Sequence, residues 1–232
     1  MLSRLLLPAG LAGLVAALLL SLMQLFWVTP LILEAERYED QAAALAEALP
    51  HKHKSEDDQA WQPTDGWPRT LTTAGSNLIL AVGFGLMLTG AYQLRRPSHW
   101  RQGLIWGLAG YTAFFAAPSL GLPPELPGTT AAELFSRQIW WLMTVCATAL
   151  GLSLLLLQYA KLLKWLGLAI LLAPHLLGAP QALNVGSLAP QVLQSQFIVA
   201  TAFCNLLFWL ALGALSAALS RHYSQTGMVE RG

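Results

Sequence analysis

Three glutamates and a tyrosine in PLILEAERYE, Pro30 to Glu39, follow directly on a long apolar run. Carboxylates at the end of such a run can meet a cation before it enters a helical bundle. Glu125, in LPPELPG, stands among prolines whose fixed φ limits where its carboxylate points. His175 follows Pro174 inside another apolar run, and an ionisable group at that depth is a functional candidate because it needs a partner or a water-filled cavity. Its ordinary role would be a hydrogen bond to a carbonyl freed by the proline. Glu34 and Glu36 point to different sides of a helix, whereas Glu36 shares a face with Glu39 or Asp40. Like charges so spaced repel unless a cation or an arginine, Arg37 or Arg137, neutralises them. A solvated acidic face is the ordinary alternative for Glu39, Asp40 and Glu47. His51 and His53 flank Lys52, two ligands beside lysines and so a weak metal site.

The elements that must position these groups are membrane helices. Of 232 residues 55% are hydrophobic and 11% charged, too few charges to cover the surface of a soluble domain this size. The net charge of +1 conceals a partition of signs along the chain and gives no reason to expect a nucleic-acid partner. Cys146 and Cys204 both lie in apolar runs and read as packing residues. The first apolar run is too long for a cleaved signal and reads as an uncleaved span.

A crossing needs about 20 apolar residues. Six runs qualify: Leu5 to Leu33, Leu71 to Leu94, Gly103 to Leu122, Gln138 to Leu157, Leu162 to Gly178 and Phe197 to Leu219. The fifth is short and interrupted by Pro174, the natural place for a broken or re-entrant helix. Six spans put Arg4, Arg95, Arg96, Arg101, Lys161, Lys164, Arg221 and Arg231 on one side, which positive residues mark as cytoplasmic. The expectation is an all-α, polytopic helical bundle, one transmembrane domain over residues 1–232, with both termini cytoplasmic. Residues 34–70 form an acidic extracytoplasmic loop whose first half, EAERYEDQAAALAEAL, extends the first helix beyond the bilayer.

Small residues four apart, Gly103 with Gly107, Ala9 with Gly13 and Gly213 with Ala217, mark helix contacts. Gln24, Asn77 and Asn205 read as interhelical hydrogen-bond formers. Thr29–Pro30, APSLGLP and APHLLGAP put a proline near the outer end of each rising helix. GxxxxGK[ST], GxSxG and HExxH are absent, so neither direct use of ATP nor a hydrolase is indicated.

QLFWVTPLILEAERYE, DGWPRT, APSLGLPPELPG, RQIWW and APHLLGAP resemble, in order, blocks of the CbtA family, proposed cobalt-transporter membrane subunits. The resemblance covers most of the chain and is weakest over Asp40 to Gln59. It implies an inner-membrane permease for cobalt or a related divalent metal, with no permanently bound cofactor. It also implies a small, single-span, histidine-rich partner, CbtB. Carboxylate with imidazole suits Co(II), and also Ni(II) or Zn(II). From position, Glu34, Glu36 and Glu125 would form an outer vestibule, with Glu39 in support, and His175 would be the first intramembrane ligand. Arg137, with Gln138, would hold one carboxylate while the site is empty. The competing expectation is a non-transporting scaffold for a partner protein; an enzyme ranks last.

Overall fold

A computed structural model describes residues 3–47, 63–182 and 186–229. Among them the chain is helical apart from turns, loops and one isolated bridge, Thr129 to Ser187. The elements are α1 (Ser3–Met23), a π-helical turn π1 (Gln24–Val28), α2 (Thr29–Glu47), α3 (Trp67–Ala91), α4 (Trp100–Tyr111), a second π turn π2 (Thr112–Ala116), α5 (Ala117–Gly121), α6 (Leu134–Leu157), α7 (Lys161–Leu177) and α8 (Gln191–Val229). α1, π1 and α2 run on without a break, as do α4, π2 and α5, giving six rods. His51 and His53 lie outside the described residues.

Five rods are long and apolar enough to cross a membrane. The helix Leu5–Leu45 has 41 residues, about 60 Å at 1.5 Å per residue against about 30 Å of hydrocarbon. α2 thus extends the first helix as expected. α7, with 17 residues, reaches about 26 Å and is the short fifth element anticipated. The expected break at Pro174 does not occur: α7 continues to Leu177 and stops at Gly178, φ 82°. Pro174 sits in the last turn, so it withdraws one donor while its own carbonyl still accepts from Gly178 N at 3.1 Å.

Both π turns precede a proline. Thr29 N–H donates to Gln24 O and Ala117 N–H to Thr112 O, each five residues back. Pro30 and Pro118 come next; each lacks an N–H and would clash with the carbonyl four residues earlier in a regular helix. A wider turn absorbs that conflict without ending the rod.

Close packing follows the small residues. A Cβ on Gly103 would strike Gly213 O, and one on Gly107 would strike Trp209 O, so α4 and α8 touch backbone to backbone. A Cβ on Gly13 would lie 2.9 Å from Val82 Cα and one on Gly85 2.8 Å from Ala9 O, which joins α1 to α3. Gly151 and Gly167 join α6 to α7 in the same way. All three expected small-residue pairs therefore lie in helix contacts. Trp209, 1% exposed, fills the centre among Phe84, Phe114 and Phe208. α1, α3, α4 and α8 make the central body; α7 packs mainly on α6, which meets the body through π2 and α5.

Candidate functional site

One end of the bundle collects acids. It comprises α2, the start of α3, the 122–133 loop, the start of α6, the end of α7 and the start of α8. The loop backbone is tied down by Thr130 N to Gly186 O (2.9 Å) and Leu188 N to Gly128 O (3.2 Å). Gln194 of α8 donates to Pro124 O at 2.7 Å and accepts from Leu126 N at 3.2 Å, straddling Glu125. Leu126, 3% exposed, anchors the loop in the core, so Glu125 is carried on a fixed support.

Among the described residues two arginines, Arg69 and Arg137, pair with carboxylates at this end. Arg69 grips both oxygens of Glu36, Nη2 to Oε1 at 2.6 Å and Nη1 to Oε2 at 2.9 Å, and reaches Asp65 at 3.0 Å. Gly66, φ 87°, turns the chain, and Pro68 suits the opening turn of α3, which places Arg69 opposite α2. Glu125 accepts from Arg137 Nη2 at 2.6 Å. Glu39 rests its chain on Gly128, where φ is 74° and an added Cβ would lie 3.0 Å from Glu39 Cγ. Glu34 is exposed, as is Gln138, which holds no carboxylate among the described residues. Glu133 caps α6, its oxygens accepting from Phe135 N (2.8 Å) and Ser136 N (2.7 Å). The Ser136 hydroxyl and these amides hold its carboxyl below the usual carboxylate range.

His175 packs edge-on against Trp140, ring centroids 6.1 Å apart. The Trp140 ring fills the space beside Gly121, with Ala179 adjacent. His175 Nε2 and Trp140 Nε1 are both buried with no hydrogen-bond partner among the described residues. Arg137 and Trp140, three residues apart, share a face of α6. The Glu125–Arg137 pair and the Trp140–His175 contact therefore succeed each other along that face, about 5 Å apart axially. Glu36 belongs to the separate α2–α3 pair, and among the described residues no three His, Cys, Asp or Glu side chains form a set able to hold a metal.

Arg137 was legible as a carboxylate holder; Arg69, Trp140 and Gln194 were not singled out. Arg69 is 33 positions from Glu36; its signal is that it is the arginine of DGWPRT, facing an acidic segment. Gln24 and Asn77 do bond across helices, at 2.6 Å, and Asn77 also reaches Ser21 at 3.0 Å. Asn205 instead bonds Thr201 O of its own helix.

A family model described as "Probable cobalt transporter subunit (CbtA)" matches residues 2–221. No curated protein and no solved structure matches the chain. With nearly its whole length matched and five rods able to cross a membrane, this multi-pass membrane protein belongs to the CbtA family of cobalt transporter subunits.

Proposed function

We propose that the chain admits the cobalt ion at its acidic end, through Glu34, Glu36 and Glu125 with Glu39 in support, to His175 as the first intramembrane ligand. The observation that carries this reading is the unpartnered, buried Nε2 of His175 beside the Glu125–Arg137 pair. An imidazole nitrogen without a hydrogen bond is free to accept a metal, and leaving it unsatisfied is otherwise unfavourable. Arg137 and Arg69 hold Glu125 and Glu36 until an arriving divalent ion competes for the carboxylates. Glu34, exposed, contributes attraction without a fixed position.

The described residues supply few donors at any one point, so the remaining ligands are water and a partner's side chains. A small single-span subunit with a histidine-rich end would fit that need, in keeping with a family of subunits. The same sparseness favours the second reading, a scaffold that stabilises the partner and binds no ion.

Changing His175→Ala and Glu125→Gln should each lower cobalt accumulation by cells at normal expression; unchanged uptake in both overturns the scheme. Uptake by vesicles holding the purified chain, with and without the partner, separates transport from scaffolding, and parallel measurements with Co, Ni, Zn and Cu identify the ion.

A further inference from the structure

Away from the acidic end, an apolar crevice of about 470 Å³ opens between the ends of α3 and α6 and the length of α4 with the start of π2. Its walls include Trp106, Phe114 and Leu156. Ile105 and Leu156 on its rim are more than half exposed and lie within rods that cross the membrane, so the crevice faces lipid. The charged and amide groups, Arg95 and Gln102, are at one end, while the hydroxyl of Ser153 further along is spent on Ala149 O of its own helix at 2.7 Å. Gln102 also lines a second hollow with His99, Trp100 and Arg101 at the start of α4, whose first turn no side chain caps. Arg101 lies over the Trp100 ring at 5.8 Å.

We propose that this crevice binds an anionic phospholipid of the leaflet on the basic side, its phosphate against Arg95 and the amides opening α4, and an acyl chain between α3, α4 and α6. The charge matches: residues 92–102 and 153–165 contain arginines and lysines and no acid. The N-terminus of α4 adds partial positive charge, with the Gln102 N–H already bonded to His99 O at 3.0 Å and the amides of Trp100 and Arg101 before it, and basic pockets between membrane helices suit anionic headgroups. The length decides between a lipid and a membrane-spanning helix of a partner. From Gln102 to Phe114 the wall made by α4 and π2 runs about 18 Å, near the roughly 15 Å of one leaflet. Beyond it Phe114 closes on Trp141, centroids 6.3 Å apart, and π2 meets α6. A spanning helix would need a groove through the whole bilayer. Positive residues at this end place the lipid in the cytoplasmic leaflet.

The test is native mass spectrometry of the purified full chain in detergent, titrated with phosphatidylglycerol and, separately, with phosphatidylcholine of the same acyl chains. Phosphatidylglycerol should bind more tightly, and Arg95→Gln should weaken it about fivefold. Arg96→Gln, whose side chain bonds Gln93 outside the crevice, should change it less. Ala109→Leu, narrowing the crevice, should weaken both lipids. Equal affinity for the two lipids, or indifference to both Arg95→Gln and Ala109→Leu, overturns the proposal. So does a partner helix cross-linking to Ala109→Cys in membranes. No step involves cobalt, so the outcome is independent of the transport scheme.

Discussion

Glu36 and Glu125 each face an arginine, with side chains of both pairs roughly a quarter to a third exposed. Ion pairs so open to solvent contribute modestly, about 0.5–1 kcal/mol, because water and salt screen them. A double-mutant cycle with Glu36→Gln and Arg69→Gln, read from unfolding in detergent, should give a coupling in that range that shrinks with added salt; no coupling would mean the pair adds nothing to stability. Such weak clamps suit groups that exchange partners. Glu133 is different: it is committed to the first turn of α6. Its carboxyl is held low by Ser136 and the amides, so the cap is present above the ordinary carboxylate range and is lost as pH falls through the lowered value. Glu133→Ala should speed amide exchange at the start of α6 at neutral pH, and the difference from the parent should vanish in acid.

At the scale of elements, the two π turns lie just ahead of the segments that carry Glu36 and Glu125. A π turn carries one residue more than an α-helical turn needs. Deleting Leu25 should therefore remove the extra residue of π1 and replace the wide turn by a kink at Pro30, while α2 keeps its face toward α3. Deleting Leu18 in regular α1 should rotate everything beyond it by about 100°. Cross-linking of Glu36→Cys to Arg69→Cys by a short bis-maleimide, whose span stands in for the two long side chains, reports the outcome: it should survive the first deletion and fail with the second. The resemblance of Thr29–Pro30 to Ala117–Pro118 was legible in sequence; the helical widening ahead of each was not, because it follows from two rods staying continuous through their prolines. At Pro174 the same residue falls in a last turn, and no widening is needed.

Over the whole molecule, α1, α3, α4 and α8 lock together through glycine contacts and the Trp209 cluster, while the α6–α7 hairpin leans on them from the side. Gly167→Leu should push α7 from α6, since an added Cβ already lies 2.8 Å from Gly151 O. Hydrogen exchange should then rise in α7 while α3 and α8 stay protected. Equal loss everywhere would show a single cooperative body. Within the proposed scheme this variant also loses cobalt uptake, because His175 leaves Trp140.

Sequence alone determined the all-helical membrane bundle, the long first helix and the short fifth one, because apolar length is a local property that the bilayer reads directly. It also named Arg137 as the holder of one carboxylate without saying which; the structure gives Glu125, 12 positions away. The tertiary structure decided that Arg69 takes Glu36, that Gln194 fixes the Glu125 loop and that Trp140 stands against His175. Those pairings join residues 33 to 70 positions apart, and their geometry depends on how antiparallel rods slide and rotate against one another, which small residues permit but periodicity does not specify.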